Sequence, residues 1–165
     1  MLLSISAITI SLFLKDKRTV YVDTGKVFAE FKLTKELNTD LTQVMNARKN
    51  ILDSIYQRLR LLTIEVKAED GRKTEKVKEL ASLEESYYLK QQQFETDNKA
   101  ATENYLAKVW NQLNQYIADY GSEKRCNYIL GATGQGNIMF AQKEENITED
   151  LIAYVNSRYD DKIKH

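Results

Sequence analysis

Few side chains in this sequence are arranged to do chemistry. The single cysteine, Cys126, follows Lys124 and Arg125, whose positive charge would lower the pKa of a thiol. The single histidine, His165, is the last residue, so no internal imidazole stands ready to act as the base for that thiol. Cys126 therefore reads as an ordinary strand cysteine. One cysteine and one terminal histidine also exclude an intramolecular disulfide and a His/Cys metal cluster. Gly131-x-x-Gly134-x-Gly136 has the glycine density of a phosphate cradle. It lacks the Gly-Lys-Ser/Thr ending of a P-loop, and a strand-like rather than a helical stretch follows it, so it reads as a turn. Glu84-Glu85 and Glu144-Glu145 read as solvated surface charge. Asp23 ends a strand-like stretch and reads as the cap of the helix that follows, with Thr24 as its competitor. No catalytic residue, metal site or cofactor is expected, and the chain does not read as an enzyme.

The elements that hold these residues follow from composition and spacing. The chain has 165 residues, 24 basic and 24 acidic, and no net charge with its histidine neutral. That length is a prior for one domain. With 42% apolar and 29% charged residues it is neither a disordered tail nor a multi-span membrane protein. Zero net charge argues against a nucleic-acid partner, which calls for a basic footprint.

There is no proline, and the six glycines leave 26–70 and 72–120 free of both helix breakers. Both stretches carry apolar residues every three and four positions. The first shows Leu37, Leu41, Val44, Ile51, Ile55, Leu59, Leu62 and Val66, with Arg48 as a polar lapse. The second shows Leu80, Leu83, Tyr87, Phe94, Ala101, Tyr105, Val109, Leu113, Tyr116 and Tyr120, with lapses at Gln91 and Asn98. One apolar stripe on each of two helices makes a coiled-coil seam. Ala-Glu-Asp-Gly-Arg at 68–72 is the polar turn, and Gly121 suits the position just past a helix end. The inference is an antiparallel helical hairpin over 25–121 whose arms are about 60–70 Å long, a rod rather than a globule. With the turn near 70–71, Leu62 faces Leu80, Ile55 faces Tyr87, and Leu37 faces Tyr105.

The remainder is a small β body over 19–24 and 122–165. Thr19–Asp23, Cys126–Leu130 and Asn137–Ala141 read as strands, the last two joined as a hairpin through the glycine-rich 131–136. Thr148 reads as the N-cap of a terminal helix that turns Leu151, Ile152, Val155 and Tyr159 inward. Three short strands and one helix make a poor core with open edges, which association with further copies would complete. The fold class is therefore α+β, mostly α: a long antiparallel hairpin, a coiled-coil tentacle, projecting from a small β body completed by oligomerisation. Residues 1–18 stand apart. Leu2–Leu14 is a 13-residue apolar run followed by Lys15-Asp16-Lys17-Arg18. It is too short to span and reads as a signal-like or anchor segment, with a structural segment as the alternative.

Val-Tyr-Val-Asp-Thr-Gly-Lys-Val-Phe at 20–28 resembles the opening strand and helix entry of the Skp/OmpH-type periplasmic chaperones. Asn-Tyr-Ile-Leu-Gly-Ala-Thr-Gly-Gln-Gly-Asn-Ile-Met-Phe-Ala at 127–141 resembles their closing hairpin. Asn-Ile-Thr-Glu-Asp-Leu-Ile at 146–152 and Val-Asn-Ser-Arg-Tyr at 155–159 resemble their last helix. The resemblance runs from about residue 19 to 160. It implies a homotrimer whose three hairpins surround a cavity, and an ATP-independent holdase for unfolded outer-membrane proteins. It also implies a periplasmic location, soluble or tethered to the inner membrane by the N-terminal segment. This chain departs from well-known members in being neutral rather than strongly basic. Residues 26–60 sum to +3 and 84–124 to −3. Those charges suit attraction between the two arms and argue against direct binding of anionic lipid.

A holdase needs apolar surface beyond what its own seam consumes. Tyr87, Tyr88 and Leu89 are consecutive and sweep about 200° of a helix, more than one seam can bury. Leu59, Leu61, Leu62 and Ile64 likewise cannot all face one partner. The off-seam members Leu61, Ile64, Tyr88 and Leu89 are the candidate client-binding residues, tyrosine offering contact area while staying wettable. The competing function is a structural coiled-coil adaptor with one fixed protein partner, anchored to the membrane through residues 2–14.

Overall fold

The computed structural model describes residues 18–68 and 74–164. The apolar run 2–14 and nearly all of the polar turn lie outside these residues. The elements run β1 (Arg18–Asp23), α1 (Thr24–Glu30), α2 (Lys32–Ala68), α3 (Thr74–Lys124), β2 (Cys126–Ala132), a 3-10 turn (Lys143–Glu145) and α4 (Thr148–Ile163). Two compact units divide them. One holds the described residues up to Lys35 and from Val109 onward, and the other holds those between Glu36 and Lys108.

In the first unit β1 and β2 pair in parallel, with Val20 opposite Ile129 and Val22 opposite Gly131. The other edge of β1 is covered where the Ile147 N–H donates to the Tyr21 carbonyl at 3.0 Å. The antiparallel hairpin read for 126–130 and 137–141 is not formed, because the glycine-rich turn closes on itself. Asn137 Oδ1 accepts from the Thr133 N–H at 3.0 Å and from its hydroxyl at 2.9 Å, while Nδ2 donates to the Gly131 carbonyl. Gly134 and Gly136 take φ of 73° and 86°, left-handed values that glycine reaches without cost. The residues after Asn137 form no strand, and Met139 and Phe140 stand 89% and 84% exposed.

The core of this unit is drawn from single stripes. Val109, Leu113, Tyr116 and Tyr120 recur along α3, and Leu151, Ile152 and Val155 along α4; all are buried, together with Val20, Val22, Val27 and Phe31. Each fully buried aliphatic or phenyl side chain contributes about 1.5–3 kcal/mol of transfer free energy, so this stripe contact holds the unit together. The inward face read for the last helix is the one observed. Tyr159 packs edge-on against Phe31 with centroids 5.6 Å apart.

Helix ends depart from the sequence reading in three places. Asp23 does cap α1, its Oδ1 accepting from the Lys26 N–H at 2.9 Å. The first arm, however, is not one helix from residue 26, because Phe31 adopts an extended ψ of 129° between α1 and α2. Gly121 does not end the second arm. The helix runs on to Lys124, and Arg125 takes the left-handed position with φ 57°. Thr148 does not cap α4 with its side chain. Its hydroxyl accepts from the Asp23 N–H at 2.9 Å, and Asn146 Oδ1 instead accepts the Thr148 N–H at 2.9 Å.

In the second unit α2 and α3 run antiparallel in the expected register. Lys76 pairs with Glu65 at 3.2 Å, Arg58 with Glu79 at 3.1 Å, and Arg48 Nη1 donates to Asn98 Oδ1 at 2.6 Å. The Tyr56 and Tyr87 rings lie 6.2 Å apart. Leu37 and Tyr105 line one groove, as a turn near 70–71 requires. Leu62 is buried in the seam.

Candidate functional site

The four side chains placed off the seam by helical geometry are all left in solvent by the hairpin unit, and so, against the seam read for them, are Val44 and Ile51, whose neighbours across the thin two-helix contact do not cover them. Leu61, Ile64 and Leu89 are each 57% exposed and Tyr88 is 58% exposed. They sit on the longest regular helices of the chain, so the same periodicity that buries Leu62 turns Leu61 and Ile64 outward. The cross-helix pairs place them along the unit. Arg58–Glu79 and Glu65–Lys76 bracket Leu61, Ile64 and the exposed Val77. Tyr88 and Leu89 lie beside the Tyr56–Tyr87 contact, about two to three turns further from the chain reversal. The four residues thus form two clusters on one hairpin rather than one patch.

Tyr56 belongs with them and was missed. It is more than half exposed, yet its place in the 3–4 pattern is neither seam nor part of a consecutive apolar run, so only its contact with Tyr87 reveals it. The Tyr88 hydroxyl accepts from Gln92 Nε2 at 2.7 Å, one turn along the same helix, which satisfies its polar end and leaves the ring face free. Leu89 lines a groove of about 490 Å³ with Ser82, Ser86 and Phe94 among its walls.

Arg48, Arg58 and Lys76 each pair with a carboxylate across the hairpin unit. Beyond the pairs already given, Arg48 reaches Asp97 at 3.7 Å and lies over the Phe94 ring, 5.8 Å from its centroid. Such exposed pairs are worth little individually. Tyr105, in the groove with Leu37, has its phenol pKa pushed up by burial.

The residues weighed for chemistry are placed apart. Cys126 opens β2 and is half-buried. Glu84 and Glu85 are exposed on α3, and Glu145 pairs with Arg18 at 3.1 Å. Lys26 donates to Glu149 and carries a raised pKa from that hydrogen bond and its charge. The body unit has an apolar surface of its own, where Tyr128 and Leu130 on β2 are exposed along with Met139 and Phe140. Among the described residues no helix is long and apolar enough to cross a membrane.

No curated protein matches the chain by sequence. A candidate outer membrane chaperone (OmpH-like) from Caulobacter crescentus CB15 has a similar solved structure, with a TM-score of 0.74 at 15% identity, covering 85% of this chain and 84% of that one. Identity that low shows the shared fold. The sequence itself matches the family described as outer membrane protein (OmpH-like) over residues 18–155, from β1 to the buried face of α4, and the chain belongs to that OmpH-like family.

Proposed function

We propose that this chain is an ATP-independent holdase chaperone, a binding protein rather than an enzyme, which keeps unfolded outer-membrane proteins from aggregating in the periplasm. The observation that carries the reading is the solvent exposure of Leu61, Ile64, Tyr88 and Leu89 on a hairpin whose two helices bury Leu62 between them. Membership of the OmpH-like family supports it. Unfolded β-barrel segments offer alternating apolar side chains, and dispersed leucine, isoleucine and tyrosine contacts would hold them without demanding one sequence. The holdase works as a homotrimer in which hairpins from three copies line a shared space. Contact with anionic lipid is not part of the mechanism, since the chain carries as many acidic as basic residues.

The test is suppression of aggregation when a urea-unfolded β-barrel protein is diluted into buffer. Replacing Leu61, Ile64 and Tyr88 together with serine is expected to abolish most of the protection while helical content stays unchanged, because all three side chains are exposed. Undiminished protection by the folded triple variant discards this surface as the client site. A fixed-partner adaptor gives a different outcome, since the unaltered chain then fails to protect a general client at all.

A further inference from the structure

The join between α1 and α2 is broken without a residue that breaks helices. From Lys26 to Ala68 the chain contains neither proline nor glycine, yet Phe31 takes φ −68° and ψ 129°. What holds the break open is the side-chain amide of Asn156, on α4. Its Oδ1 accepts from the Lys32 N–H at 2.8 Å, and its Nδ2 donates to the Glu30 carbonyl at 3.1 Å. The amide bridges the two peptide groups on either side of Phe31. One turn along α4, Asp160 takes Lys32 Nζ at 2.7 Å. Phe31 itself is fully buried, edge-on to Tyr116 and Tyr159.

The break leaves a buried side-chain group without a partner among the described residues. Thr34 is buried, and its Oγ1 finds no hydrogen-bond partner among the described residues. Elsewhere in these helices Thr42, Thr63, Thr96 and Thr102 each donate their hydroxyl to the carbonyl four residues back. For Thr34 that carbonyl belongs to Glu30, which lies across the break and accepts from Asn156 instead. A continuous helix would return Glu30 to Thr34 and give the N–H groups of Lys32, Leu33 and Thr34 the carbonyls of Phe28, Ala29 and Glu30. It would do so by withdrawing Phe31 from its pocket and stranding the Asn156 amide.

We infer that Phe31 is a two-state joint: Asn156 and the Phe31 pocket hold it broken, and a single helix through α1 and α2 is the alternative. The sequence favours the continuous form locally, and α4 imposes the broken one. Every residue in the argument belongs to the same compact unit, and the inference stands apart from the client reading.

Amide hydrogen exchange on the full chain tests it, using Asn156→Leu, which keeps the branched outline without the amide, and Thr34→Val, which keeps the shape without the hydroxyl. Asn156→Leu is expected to slow exchange at Leu33 and Thr34 about tenfold or more as they gain helical partners. It should also raise the far-ultraviolet helical signal. Thr34→Val is expected to raise the melting temperature, because it removes a buried hydroxyl that only the continuous form satisfies. Exchange at Leu33 and Thr34 that is unchanged or faster in a folded Asn156→Leu chain overturns the joint. So does a Thr34→Val chain that melts lower, which would mean that the hydroxyl already has a partner, such as a neighbouring copy. Should Asn156→Leu not fold, the Thr34→Val result decides alone.

Discussion

At Gly131 the requirement for glycine comes from packing rather than from backbone angle. A Cβ built there would come within 2.6 Å of Thr24 Cγ2. Thr24 cannot swing away freely, because it is β-branched and its hydroxyl donates to the Ala132 carbonyl at 3.1 Å. Gly131→Ala should therefore cost about 1–3 kcal/mol in urea unfolding of the body. Adding Thr24→Ser, which deletes the clashing methyl and keeps the hydroxyl, should recover most of that loss. No recovery in the double variant would place the cost elsewhere. The sequence shows three glycines in a row of six and cannot say that they do different things. Gly134 and Gly136 supply left-handed turns, whereas Gly131 lies within the β2 pairing and makes room for the first turn of α1. Asp23 as a cap was legible because capping is local. The role of Thr148 was not, because its hydroxyl serves β1, 125 positions away in sequence.

Between elements, the 3–4 spacing was enough to give the antiparallel register of α2 and α3, since helical periodicity and one turn fix it. The break at Phe31 was invisible for the opposite reason: nothing local causes it. The polar lapses Arg48 and Asn98 were legible only as interruptions, and the structure joins them to each other across the seam. The contact of α3 with α4 makes a pH prediction. Tyr116 and Tyr120, one turn apart on α3, are buried, and desolvation is the main cause that raises both phenol pKa values; the neighbouring Asp150 raises that of Tyr120 further. A raised folded pKa means that the folded state holds its proton longer than the unfolded state. The stabilisation is complete below the unfolded value of about 10 and is lost as pH climbs through the folded one. Stability should hold level up to pH of about 10 and then fall. Phenolate absorbance should show these two tyrosines ionising together with unfolding. Phenylalanine at both Tyr116 and Tyr120 should blunt the alkaline loss, and an unaltered profile would remove these residues as its cause.

For the whole molecule the unresolved account is the sheet. Two parallel strands are all that the described residues provide, and a sheet of that size is marginal in water. β1 is covered on its outer side by the backbone at Ile147, but β2 meets no strand on its own outer side among the described residues. Further along the chain follow Met139 and Phe140, the most exposed large apolar side chains among the described residues, on a segment whose composition is that of a strand. The failure of 137–141 to pair within the chain and the open edge of β2 have one common remedy, which is a strand from another copy. In the trimer proposed above, Tyr128, Leu130, Met139 and Phe140 are interface residues, and burying them offsets a thin core. Replacing Met139 and Phe140 with serine should then lower the mass seen by light scattering from three chains towards one at micromolar concentration. It should lower the melting temperature as well, because the lone sheet keeps its open edge, and client protection should fall with the loss of a shared space. A variant that keeps its mass, or an unaltered chain that is monomeric at the same concentration, removes the association on which that shared space depends.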